Sequence, residues 1–135
     1  RVRYVMLLEA SPVAIVTCDE DAKIATFSRA AEELFGYTRK EMLGTSIHLL
    51  VAKGFRMQHE NVVANAAARL RTKQEDWELA RICKPGLALN QNGEEFPVLV
   101  TVYGVKSDGK YEFAAFIIPQ HTPDKIDRPA TLRKE

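Results

Sequence analysis

One histidine stands where histidine is not a neutral choice. From Gly54 to about Lys73 the apolar residues Phe55, Val62, Val63, Ala66 and Leu70 recur at steps of three and four, with Arg56, Gln58, Glu60, Asn61 and Arg69 off that stripe. His59 falls on the stripe, in register with Phe55, Val62, Ala66 and Leu70, so its imidazole is expected to face the interior. A buried imidazole needs a partner, and two kinds of work are open to it. It can ligate a metal, or it can stay neutral and hydrogen-bond a backbone carbonyl as a structural residue.

The other reactive residues do not assemble into a mechanism. Cys18 and Cys83 match no metal or redox spacing, and with His48, His59 and His121 they define no nucleophile and base pair from sequence alone. The run from Gly104 to Lys110 has the spacing of a phosphate-binding loop, but Tyr111 stands where Ser or Thr is required. Asp19 with Asp21 and Glu94 with Glu95 are turn or polar-face carboxylates. The domain itself is therefore not expected to be an enzyme.

Composition narrows the field further. A chain of 135 residues, 46% of them hydrophobic, suits one domain with one core. With 19 basic residues against 18 acidic ones it lacks the positive stripe that tracks phosphates, so nucleic acid is not an expected partner. No apolar run reaches the ~20 residues that cross a bilayer, and no signal peptide is visible, so no membrane contact is expected of the domain. Two unpaired cysteines fit a reducing, cytoplasmic setting. The start at Arg1 and the charged, proline-containing end read as a piece of a longer protein.

These residues must be positioned by a mixed set of elements. Val2 to Glu9 is helix-competent up to Ser11-Pro12. Val13 to Cys18 and Lys23 to Phe27 are β-rich runs joined by a polar turn. Ser28 then caps a short helix, Ala30, Ala31, Leu34 and Phe35 give it an apolar stripe, and Gly36 suits a left-handed C-cap. Thr38 and Glu41 form a capping box for a second short helix, and Ser46 to Ala52 adds a further helical turn. After the long helix, Trp77 to Ile82 opens a strand that Pro85 interrupts, and Leu87 to Asn90 leads into an Asn92-Gly93 hairpin signal. Phe96 to Val105 and Tyr111 to Ile118 are strands separated by Ser107-Asp108-Gly109. Two strands, several helices and three more strands predict an α+β domain with a five-stranded antiparallel sheet, its long connecting helix packed on one face.

The segment Ile24 to Gly44, IATFSRAAEELFGYTRKEMLG, resembles the core signature of PAS sensory domains, with Ser28 where that family usually has Asn. Asn92-Gly93-Glu94-Glu95-Phe96-Pro97 is similar to the family's later hairpin. The resemblance covers roughly residues 8 to 118 and divides the chain into a flanking helix at 1–10, the PAS domain at 11–118 and a linker or tail at 119–135.

What it implies is a sensory module of a multidomain signalling protein, which binds a small ligand or cofactor and relays a conformational signal. The implied pocket lies between the long helix and the inner sheet face, with Phe55, His59, Val62, Val63, Ala66, Arg81 and Tyr103 as candidate binding residues. Arg56 to His59 is similar to the Arg-x-x-His segment of haem-binding PAS sensors, which implies haem as a candidate cofactor and His59 as its iron ligand. In the same comparison Arg81 sits near the arginine that donates to bound oxygen. Flavin is not expected, because Gly44 to Leu49 lacks the adduct-forming Cys of photoactive relatives. A ligand-free dimerisation or docking module is the competing reading, with a homodimer or a downstream effector domain as partner and the Val2 to Leu8 helix as a candidate contact. Ile118 runs into Pro119-Gln120-His121-Thr122-Pro123, a departure from the Asp-Ile-Thr exit of many PAS domains.

Overall fold

The computed structural model describes residues 2–71, 82–107 and 109–120. Its elements run α1 (Val2–Ala10), β1 (Ala14–Asp19), β2 (Ile24–Phe27), α2 (Arg29–Phe35) and α3 (Arg39–Met42). Two 3-10 turns follow at Ile47–Leu50 and Lys53–Phe55, then α4 (Arg56–Arg71), β3 (Ile82–Leu89), β4 (Glu95–Ser107) and β5 (Lys110–Pro119). Among the described residues the strands form one antiparallel sheet in the order β2-β1-β5-β4-β3, so the two terminal strands β1 and β5 meet at its centre.

Local chemistry explains the first half. The Ser28 hydroxyl accepts from the Ala31 amide and so caps α2, and it also accepts from the Ile15 amide on β1, 3.0 Å away. One buried oxygen thus satisfies a helix end and extends a strand pairing. Gly36 closes α2 at φ 84°, a conformation that costs a side chain about 1 kcal/mol or more. Thr38 and Glu41 exchange the two hydrogen bonds of a capping box at α3. The β3–β4 loop is pinned onto this unit, its Gln91 amide donating to the Phe35 carbonyl. Phe35 itself lies between Phe27 and Phe96, at ring-centre distances of 6.2 and 5.9 Å.

Strand alternation sorts the rest. Ala14, Val16 and Cys18 of β1 pair with Ile117, Ala115 and Phe113 of β5, and all six are buried on the inner face. Val98, Val100, Val102 and Gly104 of β4 continue that face. β3 is unbroken from Ile82 to Leu89, in contrast to the interruption expected at Pro85. The reason is position: β3 is an edge strand, where a residue without an amide hydrogen is tolerated. The hairpin after it also differs from a two-residue turn. Asn90 and Glu94 pair across the loop, the Asn90 side chain accepts from the Asn92 and Glu94 amides, and of Asn92 and Gly93 only Gly93 has positive φ.

Candidate functional site

α4 lies across the inner face without filling the space beneath it. Its interior residues are small, with Ala66 and Ala67 buried and Val63 partly so. The facing strands offer Gly86, Ala88, Val98 and Ala115. Two walls this poor in bulk leave a cavity of about 820 Å³, within the range of ~300–1,000 Å³ for small-molecule sites. Phe35, Ile47, Leu50, Phe113 and Ile117 line it from the side of the short helices and the central strands.

The sequence-selected residues divide on this surface. Phe55, His59, Val62, Val63 and Ala66 all line the cavity. Phe55 does so from the 3-10 turn ahead of α4 and is half exposed, because the helix begins one residue later. Tyr103 does not line it: alternation along β4 turns Val102 and Gly104 inward and Tyr103 outward, where its ring meets Phe116 edge-on at 5.8 Å. Arg81 lies outside the described residues, as does Trp77.

His59 has a partner that sequence spacing did not disclose. Its Nδ1 is 2.7 Å from Nδ1 of His48, on the Ile47–Leu50 turn, with the rings nearly perpendicular. The Ser46 hydroxyl caps that turn by accepting from the His48 amide, and Arg56 clamps its far end by donating to the Val51 and Leu49 carbonyls. A hydrogen bond between two Nδ1 atoms requires one ring to donate and the other to accept. The His59 Nε2 has no partner among the described residues and carries a lone pair in one arrangement or a proton in the other. Burial first, and then the nearby His48 and Lys84 charges, lower the His59 pKa from 6.5 to about 4. The His48 pKa is also lowered, by burial first and by Arg56, against the opposing pull of Glu60.

Four polar side chains meet the otherwise apolar lining: Gln58, His59 and Asn61 from α4, and Lys84 from β3. Lys84 and the His48 partner were not foreseen from the sequence, and Gln58 and Asn61, expected off the apolar stripe of α4, line the cavity from its margins. The signal for Lys84 is parity, since it stands two residues before Gly86 and four before Ala88 on the inward set of β3. For His48 no local signal exists, because eleven residues and two changes of direction separate it from His59. Cys18 lines the cavity too, as a buried thiol whose pKa is pushed up to about 12 by burial and by Asp19 and Glu112. Among the described residues, no group of three His, Cys, Asp or Glu side chains is placed to hold a metal ion, and no helix is long and apolar enough to cross a membrane.

A five-stranded antiparallel sheet with short helices on one edge and a long helix spanning its inner face is an α+β architecture shared with solved PAS domains. The PAS domain family matches residues 12–119, and the chain belongs to that family. It is similar to the sensor protein FixL of Bradyrhizobium diazoefficiens, 27% identical over 111 residues that make up 82% of this chain. The chain spans about a fifth of that relative's length, 21%. The PAS domain of an HTR-like protein from Haloarcula marismortui has the same fold, with a TM-score of 0.69 at 24% identity over 88% of this chain and 90% of that one. So does the PAS domain of the Cronobacter turicensis quorum-sensing receptor RpfR in complex with BDSF, with a TM-score of 0.64 at 13% identity over 82% and 96%. The protein is thus a PAS sensory domain of the kind found in signalling proteins.

Proposed function

We propose that the domain senses a small apolar molecule taken into the cavity between α4 and the sheet, and relays its occupancy through sheet packing to an attached effector. The observation that carries this reading is the pairing of two walls of small side chains around about 820 Å³ of apolar space. Well-packed cores leave few voids larger than a water molecule. A neutral fluorescent probe, N-phenyl-1-naphthylamine, tests the reading: saturable one-to-one binding is expected, and so is its loss in Ala66→Leu, which fills the space from the buried side of α4. Probe binding that is absent, or indifferent to that substitution, would count against it.

A second reading is favoured by the histidine pair. A metal-ligating imidazole characteristically has its other ring nitrogen engaged by a partner, which fixes the ring and its tautomer. His48 supplies that partner to His59, whose Nε2 is left for the iron of a haem lying in the apolar cavity. Bound there, haem would supply an iron centre responsive to redox state or to a diatomic gas. His48 would orient the ligating ring, and the cavity walls would limit water at the iron. Absorption spectra of the domain supplied with haemin decide it. No Soret band, or a band that survives His59→Ala unchanged, sinks the haem reading and leaves the apolar-ligand reading standing.

A further inference from the structure

Lys84 violates the pattern of its own strand. On β3 the inward positions Gly86 and Ala88 are small, and Lys84 shares their face, paired across to Val100, which itself lines the cavity. A lysine placed toward an apolar cavity is an exception to ordinary sheet patterning, and such exceptions gather at functional sites. An edge strand can carry a protective charge on either face, so what marks Lys84 is that its charge meets an apolar cavity. Among the described residues no carboxylate pairs with Lys84, and no carboxylate lines the cavity. Across from it on α4 is His59, near enough for the Lys84 charge to act on its imidazole.

We propose that the cavity is built for an amphipathic organic anion, with its apolar body against the inner sheet face and its carboxylate held by Lys84 and the α4 side chain His59. This rests on the apolar-ligand reading and names the ligand's chemical class. Lys84 supplies the charge, as a flexible ammonium able to follow the ligand's head group. His59 contributes when its Nδ1 accepts from His48, because the proton is then on Nε2 and the ring is a donor. His48 thereby fixes which nitrogen faces the ligand and acts as a positioning residue. The same Lys84 charge helps to keep the imidazole uncharged in the empty domain, a bias that an anion would cancel.

Displacement of N-phenyl-1-naphthylamine by decanoate and by decanol tests the assignment, since the two share one apolar body and differ in head-group charge. Decanoate is expected to bind about tenfold more tightly than decanol, the scale of a charge-assisted hydrogen bond at a half-open site. Lys84→Met should abolish that ratio by weakening decanoate alone, and Lys84→Arg should restore most of it. Chain length gives an internal check, each methylene being worth about fourfold in affinity for both head groups. Equal affinities in the unmutated domain, or a ratio that Lys84→Met leaves intact, would overturn the anion assignment while keeping the cavity reading. Failure of both ligands to displace a probe that binds saturably would overturn the assignment alone, whereas absence of probe binding itself would remove the reading on which it rests. Lys84 is exposed, so its replacement is compatible with folding, which circular dichroism confirms independently.

Discussion

Acidification should destabilise this fold through His59, and the size of the effect follows from its surroundings. The imidazole titrates near 6.5 in an unfolded chain and near 4 in the folded domain, where burial opposes its charge and His48 and Lys84 add repulsion. Glu60, from α4, and Arg56, which clamps the adjoining turn, act on the His48 side of the pair with opposite signs. At pH 7 both folded and unfolded states carry a neutral His59, and the domain has its full stability. As the pH falls through 6.5 the unfolded chain takes up a proton that the folded domain refuses, so stability drops. The drop is complete near pH 4, once the folded ring is also charged. Lowering a pKa from 6.5 to about 4 sets a ceiling of about 3 kcal/mol, and water at the cavity mouth reduces that to about 2 kcal/mol.

The assay is urea denaturation at pH 7.0, 6.0, 5.0 and 4.5, for the unmutated domain and for His59→Leu. Carboxylates begin to titrate at the acid end in both proteins, so the difference between the two curves isolates the histidine. His59→Leu may be given any stability at pH 7 without affecting the reasoning, because only the slope is read. The unmutated domain should lose about 2 kcal/mol relative to the variant between pH 7 and 4.5, with unchanged denaturant slopes. Parallel pH profiles would refute the claim that the folded protein holds His59 neutral against His48.

Two further outcomes follow from single contacts. Ser28→Ala strips the acceptor from the Ile15 and Ala31 amides at once, and should cost about 2 kcal/mol in chemical denaturation, more than an exposed helix cap is worth. Under native conditions a disulfide reagent should modify the exposed Cys83 promptly and leave Cys18 untouched, so that Cys83→Ser becomes inert until denaturant is added.

The parts of this protein that were legible in its sequence are those whose cause is local. Ser28, Gly36, Thr38 and Glu41 act on neighbours within a helical turn, and the structure places each in its expected cap. The same holds for the α4 stripe, where short-range periodicity brought Phe55, His59, Val62, Val63 and Ala66 to one cavity. What escaped depends on strand parity and on long-range packing. Tyr103 was one residue out of phase, although the small, regular series Val98, Val100, Val102 and Gly104 marks the inward set. Lys84 was hidden because a proline at position 85 reads as a break, and only the strand order reveals that β3 is an edge where proline does no harm.

The polar residues at the mouth and the apolar walls have a shared physical logic. Apolar surface facing a cavity of this size is surface the folded chain has not fully removed from water, and among the described residues the polar lining side chains Gln58, Asn61 and Lys84 have no hydrogen-bond partner in the protein. A molecule that covers the walls while pairing with the rim removes both deficits together. It also binds the folded state alone, because the inner sheet face and α4 come together only on folding, so its concentration must appear in the stability of the domain. That linkage joins sensing to structure without any chemical step. On the proposed reading occupancy would tighten the contact between α4 and the sheet, whose central strands β1 and β5 are the first and last of the matched domain. The sheet that would receive the ligand would then also be the element that transmits its presence.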